Sequence, residues 1–175
     1  MEPRSGDPIN AAVEVLGDRW SLLVLRDIVF GDRRYFRALL TGSAEGIASN
    51  ILADSLVRLL DAGILTRGTA LRGQRARYSL TEAGIQTLPI LYALGNWGLD
   101  WRQGSAELRV RQQLMRDEGP EFVQELMDEL RVRHLGAPPK PHDGPDPFQR
   151  LEACHAAAAE QELRPPAQHQ ADEAD

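Results

Sequence analysis

Apolar residues recur at helical spacing along most of the chain, and one short alternating stretch interrupts them. Asp7-Pro8 predicts a helix start, because a carboxylate can accept from orphan amides and proline fits the first helical position. The helix should reach about Leu16, where Gly17 breaks it and Asp18 caps the next. Trp20, Leu23, Val24 and Ile28 then mark a buried face up to Phe30-Gly31. A short helix is expected over residues 35–40, a turn over 41–46, and a fourth helix over 48–62 with Leu52, Leu56, Leu59 and Leu60 as its buried stripe. Gly63 closes that helix in a left-handed conformation. The period then changes, so residues 64–80 read as a β-hairpin whose turn is Leu71-Arg72-Gly73-Gln74. Thr81 caps a further helix expected to run to about Trp101, bent near Pro89.

Past Gly104 the pattern gives a polar helix to about Arg116. A second, amphipathic helix opens at Gly119-Pro120, with Phe122, Leu126 and Leu130 flanked by Val123 and Met127. The chain thus divides into a domain over 1–103, a helical extension over 104–135, a stiff Pro-rich linker over 136–147, and a short helix with a disordered tail over 148–175. The fold class is mainly α with a small β-hairpin.

Composition adds two exclusions. Of the 175 residues 42% are hydrophobic and 26% charged, which suits a globular chain, and no run of about 18 apolar residues exists to span a bilayer. The first seven residues lack a secretory pattern and Cys154 is the lone cysteine, so a cytoplasmic protein without an internal disulfide is expected. Charge is unevenly placed. The net charge is -6, yet residues 33–77 carry eight arginines against Glu45, Asp54 and Asp61, while residues 104–175 hold eight basic and fifteen acidic side chains. A whole-chain sum therefore hides one basic region suited to a polyanion.

The order helix, helix, short helix, turn, helix, hairpin, helix is that of a winged helix-turn-helix, in which the helix after the turn enters the DNA major groove. Four blocks carry a more specific likeness: residues 17–26 (Gly-Asp-Arg-Trp-Ser-Leu-Leu-Val-Leu-Arg), Arg34-Tyr35-Phe36, Gly46-Ile47 with Leu52, Leu56, Leu59 and Asp61-Ala62-Gly63-Ile64, and residues 78–84 (Tyr-Ser-Leu-Thr-Glu-Ala-Gly) followed by Trp97-Gly98. Together they resemble the HxlR family of bacterial transcriptional regulators over about residues 7–101. The resemblance implies a homodimer built by the first helix and the long helix after the wing, through Ile9, Val13, Leu88, Leu91, Leu94, Trp97 and Trp101. It also implies an operator of partly palindromic sequence and regulation in response to stress or metabolites, hence a small-molecule effector. Two departures stand out. Redox-sensing members carry a cysteine where this chain has Asp7, so thiol sensing by that route is not expected. Ala48 stands where the recognition helix usually begins with serine, so an operator cannot be carried over.

Ser49, Asn50, Ala53 and Asp54, with Val57, face away from the leucine stripe and are the candidates for base contact. Asn50 can pair bidentately with adenine and Asp54 can accept from cytosine; Ser49 and Asn50 also suit simple helix capping. Arg33, Arg34, Arg72, Arg75 and Arg77 can reach phosphates, with Gln74 beside them at the wing tip. A solvated charged hairpin is the plainer use of the same residues. Arg19 and Arg26 are expected to pair with acids such as Asp18 or Asp27. His134, His142, Cys154, His155 and His169 are too scattered for a metal site, and no metal or cofactor is expected. Nor do the residues form a nucleophile and base constellation, so no enzyme is predicted. The function expected is a homodimeric, sequence-specific DNA-binding regulator; the alternative is a winged fold turned protein-interaction module. The apolar face of the extension is expected to widen the dimer interface or, less favourably, to enclose an effector pocket.

Overall fold

A computed structural model describes residues 5–69, 75–141 and 144–162, the side chains of Glu107, Gln161 and Glu162 excepted. The expected hairpin tip with Arg72 and Gln74, His142, and the tail with His169 lie outside the described residues.

Helix α1 (Pro8–Leu16) starts where Asp7 accepts the Asn10 amide at 2.7 Å, and α2 (Arg19–Gly31) starts where Asp18 accepts the amides of Trp20 and Ser21. Each cap satisfies donors that a helix leaves unpaired at its start. Asp32, in the left-handed region at φ 44°, ends α2. Helices α3 (Phe36–Gly42) and α4 (Ser49–Asp61) follow, and Gly63 at φ 69° turns the chain into β1 (Leu65–Arg67).

β1 pairs antiparallel with β2 (Tyr78–Leu80) in the register Leu65 to Leu80, Thr66 to Ser79 and Arg67 to Tyr78. Tyr35 does not begin α3, as the spacing predicts. Its backbone is extended and forms an isolated antiparallel bridge with Arg77, just ahead of β2. The edge of β2 facing away from β1 is closed twice: the Tyr78 amide donates to the Arg34 carbonyl at 2.8 Å, and the Leu80 amide donates to His134 Nδ1 at 2.9 Å.

The helix expected over 81–101 is two helices, α5 (Glu82–Ile85) and α6 (Leu88–Trp101). Pro89 lies in the first turn of α6, where its missing amide costs nothing, so the chain breaks before it instead of bending at it. Thr87 Oγ1 donates to the Gly84 carbonyl at 2.7 Å across the break. A Cβ on Gly84 would lie 2.3 Å from the Ile64 carbonyl oxygen, so only glycine lets α5 approach the start of the wing this closely.

Leu25 and Ile28 of α2, Leu39 of α3, and Leu52, Leu56 and Leu59 of α4 form the core with Leu65, Leu80, Ile85 and Leu88. Burying such a side chain contributes about 1.5–3 kcal/mol each. Leu88 is fully buried here, which corrects its expected place in a dimer interface.

Three further helices complete the chain: α7 (Ala106–Glu118), α8 (Pro120–Leu135) and α9 (Pro147–Glu162). α7 lies along α6, where Gln112 donates to the Tyr92 carbonyl at 3.1 Å and Arg116 to the Asn96 carbonyl at 2.7 Å. α9 packs on α7 and α8 and buries Phe148 and Leu151. The apolar face of α8 corrects another expectation. Phe122, Val123, Leu126, Met127 and Leu130 are all buried in the chain's own core, where α8 meets α5, α6, β2 and its neighbouring helices. That stripe is spent within the chain and cannot widen a dimer interface.

Candidate nucleic-acid interface

α4 is held by its leucine stripe against α2 and α3, and its other face is open. Ser49, Asn50, Asp54, Val57 and Arg58 are exposed on it, and Ala53 is half-buried between them. Ala48 is the N-cap and provides no side-chain cap, so the capping use of Ser49 and Asn50 is not realised. Among the described residues neither side chain is tied by a hydrogen bond. Two polar groups at the first turn of a helix are thus free to pair outward, beside a 54% exposed Val57 suited to an apolar contact.

Arg58 is fixed to this face from below. Its Nη2 lies 3.0 Å from Asp18 Oδ1, so the residue that caps α2 also anchors a cation of α4. Burial raises the Asp18 pKa, but the hydrogen bonds from Ser21 and Trp20 and the charge of Arg58 outweigh it and hold the carboxyl below its ordinary value. Arg26 pairs with Asp27 and with Glu45 in the turn before α4, the nearest distance being 2.6 Å to Glu45. Arg19 makes no ion pair within 4 Å among the described residues; its guanidinium stacks over Trp20 at 4.8 Å, and its charge helps to hold the Glu45 carboxyl below its ordinary value, after the larger effect of Arg26.

The arginines sort into three groups. Arg75 and Arg77 at the wing are exposed and carry no ion pair among the described residues, as do Arg37 on α3 and Arg67 on β1. Arg33 is half-committed: it pairs with Asp27 at 3.1 Å and lies over Gly42, with its guanidinium still partly exposed. Arg34 is a correction. It is only 3% exposed, donates to the Tyr78 carbonyl at 3.0 Å and the Arg133 carbonyl at 2.9 Å, and also bonds Ser79 Oγ. Burial and the neighbouring Arg77 charge lower its pKa, and with its donors engaged inside the chain it cannot serve a phosphate.

Arg37, Arg67 and Arg58 were visible only as members of a basic segment. Nothing in a linear pattern separates an exposed arginine from one that is clamped. His134 was visible only as a metal candidate; its Nδ1 accepts a backbone amide, so the proton sits on Nε2, which is buried without a partner among the described residues. No cluster of three or more His, Cys, Asp or Glu able to hold a metal occurs among the described residues. No helix there is long and apolar enough to cross a membrane.

On α1 and α6 the single chain exposes large apolar side chains: Ile9 at 73%, Val13 at 57%, Leu94 at 48%, Trp97 at 52% and Trp101 at 67%. Leu91 is half-buried against the core.

A helix with an open polar face, set before a two-stranded wing that bears exposed arginines, defines a winged helix-turn-helix protein. The model of the HxlR-like helix-turn-helix family matches residues 15–106, more than half of the chain, and the protein belongs to that family. It is 35% identical over 115 residues to an uncharacterized HTH-type transcriptional regulator of Synechocystis sp., covering 65% of this chain and 81% of that one. A similar regulator of Mycobacterium tuberculosis is 33% identical over 94 residues, which span 53% of this chain and 58% of the relative. Among solved structures, PA1607, described as a candidate transcription factor, is 31% identical with a TM-score of 0.53, over 59% of this chain and 70% of that one.

Proposed function

We propose that the chain is a homodimeric, sequence-specific DNA-binding regulator, with α4 in the major groove and the β1-β2 wing on the backbone or minor groove. The observation that carries this reading is the pairing of an open α4 face, bearing Ser49 and Asn50, with the exposed Arg75 and Arg77, none of the four side chains engaged among the described residues. Base edges are read by such bidentate amides, while arginines supply the sequence-independent attraction. The exposed apolar side chains of α1 and α6 support the dimer, since isolated surfaces seldom leave two tryptophans more than half exposed.

A small-molecule effector belongs to the same reading. α8, the Pro-rich segment and the start of α9 enclose a cleft of about 450 Å³ lined in part by Glu125, Glu129, Val132, Pro141 and Pro145. Its size falls within the range of small-molecule sites.

Titration into fluorescent duplexes tiling the region upstream of its own gene, at two salt concentrations, tests the DNA reading. Tight binding to one tile above scrambled controls is expected. Equal, salt-labile binding to every tile would overturn it in favour of a protein-interaction module, whose complexes would survive loss of Arg75 and Arg77.

A further inference from the structure

We propose that the last turn of α8 is a clamp that holds the wing in position for DNA, through the backbone carbonyl of Arg133 and the side chain of His134, which makes His134 a positioning residue for the interface. The proposal rests on the DNA reading above. It also lies outside the region that the family model matches, which ends at residue 106, so the clamp belongs to this chain's own extension.

The wing needs external support. Each strand is three residues long, and a two-stranded hairpin is at best marginally stable alone in water. Two groups from α8 supply that support at the root of the wing. His134 Nδ1 accepts the Leu80 amide at 2.9 Å, and the Arg133 carbonyl accepts from Arg34 at 2.9 Å. Arg34 in turn grips β2 at the Tyr78 carbonyl and Ser79 Oγ, so one guanidinium joins the strand to the helix.

The chemistry of both contacts favours this geometry. The last carbonyls of a helix lack intrahelical donors and carry its negative end, so a buried guanidinium satisfies both needs there. The imidazole meets a strand amide that β1 does not use. α8 itself is pinned beside the wing by the ion pair of Arg131 with Glu82, 2.6 Å apart, and by its buried apolar face. Arg77 precedes Tyr78 directly in the gripped strand. Whatever fixes Tyr78 to Leu80 therefore fixes where Arg77 and Arg75 project.

The test uses the full chain with His134→Ala, the rescue variant His134→Asn, whose side-chain oxygen can take the place of Nδ1, and Ser79→Ala, which removes one Arg34 partner. Amide exchange at residues 65–67 and 77–80 reports on the wing. Affinity for the mapped operator at two salt concentrations reports on DNA. His134→Ala should speed exchange at 77–80, weaken operator binding roughly fivefold, the equivalent of one net hydrogen bond, and flatten the salt dependence by about one phosphate contact. His134→Asn should restore all three, and Ser79→Ala should move them in the same direction if His134→Ala does not fold. Unchanged exchange in a folded His134→Ala or in Ser79→Ala would overturn the clamp. Faster exchange with unchanged affinity and salt slope would overturn its role in DNA binding. A wild-type chain that binds no operator would instead sink the DNA reading, and the exchange data alone would still decide whether α8 holds the wing strands.

Discussion

Asp18 and Arg58 meet at 3.0 Å, so one carboxylate both caps α2 and tethers the outer surface of α4. The pair joins the scaffold to the helix proposed to read bases. Removing the carboxylate should have two separable effects. Asp18→Ala should lower stability by about 1 kcal/mol through the lost cap, and it should free Arg58 to strengthen binding to random duplex. Urea denaturation and a filter-binding assay with non-operator DNA check the two effects independently.

Asn50→Ala should relax base preference and leave non-specific affinity nearly intact. Loss of one bidentate amide contact corresponds to about 1–3 kcal/mol of discrimination at one base pair. Competition with operators altered at single positions measures it, and a uniform loss across all variants would contradict the assignment.

Arg75→Ala and Arg77→Ala should weaken every duplex alike. Each should reduce the slope of log affinity against log salt by about 1. Arg34→Met should behave differently, because the residue is buried and shared between β2 and α8. A loss of about 3 kcal/mol in folding stability is expected from its severed charged hydrogen bonds, read as a shift in denaturation midpoint.

The helical part of the fold was legible because its signals are local. Asp7, Asp18 and Thr81 cap helices at the expected places, Gly63 takes the left-handed turn, and Leu52, Leu56 and Leu59 of the α4 stripe are buried, with Leu60 half-buried beside them. The burial of Arg34 was not legible, for a definite reason. It stands beside Arg33 in a basic segment, and its partner Arg133 comes from ninety-nine residues further along the chain. A charge pattern cannot anticipate a helix end arriving from that distance. The stripe of α8 failed in the same way: periodicity identifies a face that must be buried, but not the surface that buries it.

Acid should destabilise the chain earlier than its carboxylates alone would. Burial, then the charges of Arg34, Arg77 and Arg133, push the His134 pKa from 6.5 down to about 3. The folded state thus holds this imidazole neutral while the unfolded chain protonates it. Stability is complete above about pH 6.5 and falls as pH drops toward 3, where the folded group would protonate as well. Glu82, held down to about 2 by Arg131, adds to the loss only below its ordinary value of 4.5. Denaturation midpoints between pH 7.5 and about 5 should decline in the wild type and stay nearly flat in His134→Asn.

Trp97→Glu should yield a folded monomer, since Trp97 is exposed in the single chain and buries nothing essential to the core. Sedimentation and circular dichroism together check this. A dimer that persists would place the interface elsewhere.

The closed outer edge of β2 also bears on how the protein behaves in company. An open strand edge is a template for pairing with another chain, and a short wing is a natural place for such pairing to begin. Here the amides of Tyr78 and Leu80 are already taken by the Arg34 carbonyl and the His134 ring. Neither a strand-shaped peptide nor a second wing can add to the sheet there without first expelling part of the chain. The contacts that hold β2 in place thereby also deny its outer edge to a second chain.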